Sequence, residues 1–171
     1  AEVFANNISI TADTIDIDAG GTEQLKGSGT LVLKPRQDST TIGLAGGSGT
    51  FNLDAADLGN ITDGFSSITI GSSTHTGDVT VNANTFTDPL TIIQATGGAG
   101  SISIAGHLQN SGGGIELTSG SGGIDLADSL TTTSGDIDIN GAVSLSAAST
   151  LTTNTSGNID FSSTVDGGQD I

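Results

Sequence analysis

A three-residue motif of the form apolar-x-apolar recurs about every 9 to 13 residues along this sequence, and its copies are separated by residues rich in Gly, Ser, Thr, Asn and Asp. Residues i and i+2 of a β-strand share one face, so each copy predicts a very short strand with two apolar side chains on the same side. A strand that short cannot bury its apolar face alone, and the sequence therefore predicts a stack of repeated units. The copies lie at residues 8–10, 15–17, 31–33, 42–44, 51–53, 68–70, 79–81, 90–92, 102–104, 115–117, 124–126, 137–139, 143–145 and 159–161.

The residues available for a core indicate a narrow and regular interior. The chain has 5 Phe and no Trp, Tyr, Met or Cys, so Ile, Leu, Val and Ala must fill the interior. Side chains of similar size suit a repetitive interior better than an irregular globular one. The 27 Gly alone would suggest disorder, but the regular apolar motif supplies the buried surface that a disordered chain lacks.

Two motifs per turn give a coil of about 22 residues, which is typical of a parallel β-helix whose strands stack about 4.8 Å apart. About eight such coils fit the length, and the absence of a linker predicts one continuous all-β solenoid segment over residues 1–171. An antiparallel β-sandwich is the alternative, because Asn140-Gly141 between two motifs is a strong hairpin signal. One helical turn is predicted around residues 54–58.

The charge balance limits the possible partners. With 19 acidic and 3 basic residues the net charge is −16, which disfavours binding to nucleic acid and to anionic membranes and favours attraction of divalent cations. No apolar run approaches the roughly 18 residues that a membrane helix needs. The absence of Cys fits a protein that works outside the cell. Residues 1–4 do not form a signal peptide, and we expect a fragment of a longer repeat protein.

Several passages resemble the repeat regions of filamentous-haemagglutinin-like proteins and giant bacterial adhesins. The resemblance lies in Gly29-Thr-Leu-Val-Leu-Lys-Pro35 through residues 42–44, in residues 57–61 and 63–71, and in their continuation at 77–81 and 86–92. It implies a right-handed parallel β-helix, export to the cell surface or the medium, and a role in adhesion, biofilm or filament architecture. It brings no catalytic motif.

The middle residue of each motif should face outward, which gives a hydroxyl-rich series followed by an acidic one if the coils keep register. The hydroxyl series is Thr69, Thr80, Thr91 and Ser103, and the acidic series is Glu116, Asp125, Asp138 and Asp160. A solvated outer face is the simpler interpretation. Calcium is the alternative, since Asp136 and Asp138, like Asp16 and Asp18, flank one inward residue and should point the same way.

The glycine-rich segment at 46–50 does not complete the calcium-binding Gly-Gly-x-Gly-x-Asp repeat, because Phe51 stands where Asp is required. We therefore name no metal ligands and leave a calcium site open.

No catalytic or cofactor-binding residues are predicted, and we expect no enzymatic activity. Lys26, Lys34 and Arg36 could serve a polysaccharide lyase, but no aromatic residue accompanies them. His75 and His107 lie in turn-like contexts without catalytic or metal-ligand spacing and are predicted to be surface residues.

The sequence thus favours a non-enzymatic stalk, matrix component or filament body of a bacterial cell-surface or extracellular protein. One alternative is a filament subunit that stacks head to tail through the two ends of the solenoid. Another is an adhesin module that binds glycan or protein of a host or matrix. Expected partners are flanking repeats or further copies, without nucleic acid and without membrane insertion.

Overall fold

The computed structural model describes residues 2–17 and 24–171. Those residues form short parallel strands and one helix, α1 (Ala55–Gly59). The strands are β1 (Glu2–Phe4), β2 (Ile8–Ala12), β3 (Gln24–Lys26), β4 (Thr30–Pro35), β5 (Ile42–Leu44), β6 (Phe51–Leu53), β7 (Ser67–Gly71), β8 (Val79–Val81), β9 (Asn84–Phe86), β10 (Leu90–Ile93), β11 (Ser101–Ile104), β12 (Leu108–Asn110), β13 (Ile115–Thr118), β14 (Gly123–Leu126), β15 (Leu130–Thr132), β16 (Ile137–Asn140), β17 (Val143–Leu145), β18 (Leu151–Thr153), β19 (Ile159–Phe161) and β20 (Val165–Gly167).

The strands stack into four parallel sheets, which makes the protein a β-solenoid; the smallest consists of β1 and β3 alone. Sheet 1 has the order β19-β16-β13-β10-β7-β4-β2, sheet 2 the order β20-β17-β14-β11-β8-β5-β6, and sheet 3 the order β18-β15-β12-β9. The predicted parallel β-solenoid is confirmed. The β-sandwich alternative is wrong, because Asn140-Gly141 joins β16 to β17 across a corner between sheets 1 and 2.

The repeat length matches the prediction, but each coil holds three strands instead of two. Ile115 pairs with Ile137 and Ile137 with Ile159, each 22 residues further along the chain. There are about seven coils and not the predicted eight, because residues 45–59 form an insertion within the second coil. The strands of sheet 3 do not carry the apolar-x-apolar motif, because one of their two inward positions is polar: the third in Leu108–Asn110 and Leu130–Thr132, and the first in Asn84–Phe86.

The core consists of aligned rows of aliphatic side chains inside the coils. On sheet 1 the row Leu33–Ile70–Ile92–Leu117–Ile139 has no exposed surface at any member. Burying such a side chain contributes roughly 1.5–3 kcal/mol relative to leaving it exposed. Because each row runs from coil to coil, the apolar interior and the backbone pairing both stabilise the same stacking direction.

The insertion places β6 at the first position of sheet 2, next to β5 and on the side away from β8. The turn between β5 and β6 lies close over Gly43, and a Cβ there would meet the backbone of Gly47 and Gly49. The same turn needs positive φ at Ala45 (55°) and Gly46 (84°). The glycines of residues 46–50 therefore have a structural role in returning the chain to pair with β5.

The predicted strand at residues 15–17 is wrong, because β6 occupies the position on sheet 2 that it would have filled. Ile17 is nevertheless buried, and its N–H donates to Asp57 Oδ1 at 2.6 Å. The predicted helical turn is confirmed as α1. Asp54 caps it by accepting from the N–H groups of Ala56 and Asp57, and Asp57 Oδ2 accepts from the Asp54 N–H in return.

The two ends of the described solenoid differ. At the N-terminal end, Ile15 and Ile17 pack on the core beside β6. At the C-terminal end, Ile159 is 39% and Val165 41% exposed, whereas their paired neighbours Ile137 and Val143 are 0% and 3% exposed. Among the described residues, no helix is long and apolar enough to cross a membrane.

Candidate functional site

The outer face of sheet 1 carries a row of stacked acidic side chains. Glu116 pairs with Asp138 and Asp138 with Asp160, so the three carboxylates lie on successive coils in register. The predicted stacking is confirmed, with one refinement: the outward series divides between sheets. Thr69 and Thr91 precede the acids on sheet 1, while Thr80, Ser103 and Asp125 lie on sheet 2.

The carboxylates of this acidic row repel one another. Partial burial is the largest cause of a raised pKa for Asp138, and the nearby carboxylates of Asp136, Asp160 and Glu116 raise it further. The carboxylate of Glu116 is stabilised by two hydrogen bonds, which it accepts from Thr91 Oγ1 (3.3 Å) and Asn140 Nδ2 (3.4 Å).

These acids line an open groove but do not converge on a metal position. The groove of 330 Å³ is bordered by Glu116, Asp136 and Asp138. Within residues 2–17 and 24–171 no three or more His, Cys, Asp or Glu side chains are grouped so as to hold a metal ion. Asp16 is exposed beside a second groove, which Asp54 also lines, and Asp18 lies outside the described residues.

The basic residues are spread over different elements. Lys26 belongs to β3, Lys34 to β4 of sheet 1, and Arg36 follows β4. Arg36 contacts Asp13 at 3.5 Å with both side chains about two-thirds exposed, so this ion pair contributes little to stability.

The two histidines have different environments. His107 lies just before β12, where Nε2 contacts Thr131 Oγ1 at 2.9 Å and Nδ1 contacts Gln109 Nε2 at 3.0 Å. His75 was predicted to be a surface residue, and that is wrong: it is 1% exposed, between β7 and β8.

Neither ring nitrogen of His75 has a hydrogen bond of good geometry. Its burial lowers the pKa, and the Asp38 charge, the backbone of Gly77 and the Asp78 charge oppose that effect. Sequence reasoning missed this burial because His75 belongs to no apolar motif.

Polar side chains also fill corners inside the coils. Asn110 donates through Nδ2 to the carbonyl of Asp88 (2.7 Å), and its Oδ1 accepts from the N–H groups of Gly112 and Gly113. Thr132 donates to the Gly135 carbonyl at the equivalent corner one coil later. These residues occupy the third position of sheet 3 strands, and a repeated Leu-x-Asn or Leu-x-Thr spaced by one coil is the signal that could have found them.

A pair of aspartates at the corner before sheet 1 is the other group that sequence reasoning missed. Asp88 is 4% exposed, and its Oδ1 accepts from the Gly64 N–H at 3.0 Å. Burial is the largest cause of the raised pKa of Asp88, and the charge of Asp63, adjacent to Gly64, adds to it. The signal was the two Thr-Asp sequences at 62–63 and 87–88, about one coil apart.

Comparison of the chain with protein-family models, with curated proteins and with solved structures gives no match.

Proposed function

We propose that this chain is a non-enzymatic structural segment of a bacterial cell-surface or secreted adhesin-like protein, acting as stalk, matrix component or filament body. The observation that carries the proposal is the continuous parallel stacking of sheets 1 and 2, seven strands each, around aligned aliphatic rows. In such an array each coil is stabilised by the coils before and after it, so the stack forms a rod along one axis.

The outer surface suits a rod that stays separate from its neighbours. The outward residues of the paired strands are mainly Thr, Ser, Asp and Glu, and the net charge is −16. Like charge on neighbouring rods opposes lateral association, while the Thr and Ser side chains keep the strands compatible with solvent.

The C-terminal end of the described solenoid supports growth along the axis. Ile159 and Val165 continue the aliphatic rows but are partly exposed, and the outer edges of β18, β19 and β20 offer backbone groups for a further strand each. This surface fits the next coil of a flanking repeat. It also favours the second candidate function, a subunit that stacks head to tail.

The N-terminal end presents the strand edges of β1, β2 and β6. Of these, β6 enters sheet 2 out of sequence order, and Ile15 and Ile17 pack on the core. A flanking repeat and a second copy would both meet three strand edges here, and the oligomeric state measured below separates the two.

The exposed end can be tested by adding one coil. A copy of residues 130–151 is fused directly after Ile171. The copied Leu130 then lies as many residues after Leu151 as Leu151 lies after the original Leu130, with which it pairs. We expect a higher melting temperature, since the added coil covers Ile159 and Val165. A fusion of the same 22 residues in scrambled order is the control, and equal melting temperatures for both fusions would contradict the stacking role.

Two further measurements separate the candidates. Light scattering after size exclusion should give a monomer over a wide concentration range, with and without a calcium chelator; concentration-dependent filaments would instead support the head-to-tail subunit. Antibodies against the chain should label intact source cells or their medium, and a signal confined to lysed cells would contradict the surface location.

A further inference from the structure

One junction inside the rod, between the third coil (residues 60–83) and the fourth coil (residues 84–106), is paired on two sides only. Sheet 1 joins these coils through β7 and β10, and sheet 2 joins them through β8 and β11. The third side of the rod consists of β1, β3 and residues 60–62, followed by sheet 3. On this side no ladder or bridge joins residues 60–62 to β9 within residues 2–17 and 24–171.

The neighbouring junctions are joined on the third side as well. Toward the N-terminus Ile61 bridges to Leu25 of β3. The Leu25 N–H donates to the Asn60 carbonyl at 2.9 Å, and the Leu25 carbonyl accepts from the Thr62 N–H at 3.0 Å. Toward the C-terminus β9 pairs with β12, β12 with β15 and β15 with β18. Two separate ladders therefore reach the same junction from opposite directions and end there.

The backbone of Thr85 is the part of β9 that faces this junction. Asn84 and Phe86 form the hydrogen bonds of β9 with the fifth coil. Successive residues of a strand direct their N–H and C=O groups to opposite neighbours, so those of Thr85 point toward Ile61. No backbone hydrogen bond joins Thr85 to Ile61 in the part of the chain that the structure describes.

A groove of 180 Å³ occupies the place of the missing ladder. Leu58 of α1 and Phe86 of β9 both line it, and they are 7% and 4% exposed. The two coils therefore meet here through apolar side chains. The attraction between such side chains is not directional, whereas a backbone hydrogen bond weakens steeply when its length or angle changes. This side consequently fixes the separation of the coils less strictly than sheets 1 and 2 do.

Asp88 holds the two coils together at the corner where the third side meets sheet 1. Its Oδ1 accepts from the Gly64 N–H at 3.0 Å, and Asp88 is only 4% exposed. This bond links the third coil to the fourth through one side chain and belongs to no ladder. The gap on the third side is thus closed at its sheet 1 end by a single side-chain contact.

We propose that the solenoid is hinged at this junction and that Asp88 is the latch of the hinge. Sheets 1 and 2 stay paired and form the hinge line, while the first three coils tilt away from the last four on the third side and the groove opens. Each coil of a repeat protein contacts only its neighbours, so bending is localised at the junction with the fewest ladders. The hinge belongs to the rod itself and applies equally to a stalk, a matrix component and a filament subunit.

The test measures distances between two nitroxide spin labels by pulsed electron paramagnetic resonance. The chain has no Cys, so each introduced Cys is a unique labelling position. Gln24→Cys with Thr152→Cys places both labels on the third side, and Val32→Cys with Asp160→Cys places both on sheet 1. Each pair extends from the second coil to the seventh, which is about 24 Å at about 4.8 Å per coil.

We expect the third-side pair to give a distance distribution about twice as wide as that of the sheet 1 pair, extended toward longer distances. Because both pairs span the same coils, equal widths would overturn the proposal. Two narrow distributions would show a rigid rod, and two wide ones would show a rod that flexes along its whole length.

The latch is tested in both labelled pairs by Asp88→Ala. Asp128→Ala is the matched control, since Asp128 Oδ1 accepts from the adjacent Ser129 N–H within one coil. We expect Asp88→Ala to lengthen the mean distance of the third-side pair and to leave the sheet 1 pair unchanged, and Asp128→Ala to change neither. An unchanged third-side pair, or an equal change in both pairs, would overturn the role of Asp88. If Asp88→Ala does not fold, the comparison of the two labelled pairs without this substitution decides whether the hinge exists.

Discussion

Truncating one buried side chain in the middle of an aliphatic row measures how strongly the core holds the coils together. Ile104 lies in β11 between Val81 and Leu126 and has no exposed surface. Ile104→Ala removes three carbon atoms, worth about 2.4 kcal/mol at about 0.8 kcal/mol each. The unfilled space adds to this, because β11 is held by ladders on both sides, and we expect a loss of about 3–4 kcal/mol.

The assay is urea unfolding at 25 °C followed by circular dichroism, with Ser103→Ala as the control. Ser103 is the outward neighbour of Ile104 on the same strand, so its truncation tests the strand without the core. We expect the control to change stability by at most about 0.5 kcal/mol. A cost for Ile104→Ala below about 1 kcal/mol, or equal to that of the control, would refute the argument that the rows bind the coils.

Three further substitutions test other parts of the structure. Asp138→Asn removes the central charge of the acidic row; because the pKa of Asp138 is raised, we expect a higher melting temperature at neutral pH, a smaller gain at high salt and none in acid, and a gain independent of salt would contradict this. His75→Leu removes a buried imidazole whose pKa is lowered; wild type should lose stability relative to it as pH falls, and parallel urea midpoints between neutral and acidic pH would count against the prediction. Gly49→Ala places a Cβ against the backbone of Ile42 and Gly43 and should lower the free energy of unfolding in urea by about 2 kcal/mol or more. Gly97→Ala, with open space around the added Cβ, should be nearly neutral, and similar losses for both variants would mean that the β5–β6 turn is not tightly packed.

The sequence predicted the parts of the fold that depend on side-chain periodicity. Alternation of inward and outward residues located the strands of sheets 1 and 2 except β20, and the spacing of the motifs predicted the 22-residue coil. Sheet 3 was missed because Asn110 and Thr132 are buried by hydrogen bonding to corner carbonyls, which no measure of hydrophobicity detects.

The pairing partners of the strands could not be predicted from the same motif. Residues 15–17 and 51–53 carry equivalent patterns, and only the folded chain shows that β6 takes the position on sheet 2. The glycines before β6 make that choice possible by allowing a turn that lies against β5. The burial of Asp88 was likewise hidden, since its hydrogen bond from the Gly64 N–H depends on how one coil is laid on the next.

The out-of-order position of β6 has a consequence for the order in which the chain folds. The first coil is completed by Phe51–Leu53 and by the contact of Ile17 with Asp57, 40 residues further along the chain. Closing so long a loop is slow compared with pairing coils that are adjacent in sequence. We therefore expect folding to begin among the regular coils of β7 to β17 and to spread toward the N-terminus, with the first coil ordering last. A chain that leaves a ribosome or a membrane pore N-terminus first would be able to pair β1 with β3 and β2 with β4, but the N–H of Ile17 would lack its Asp57 partner until the insertion follows.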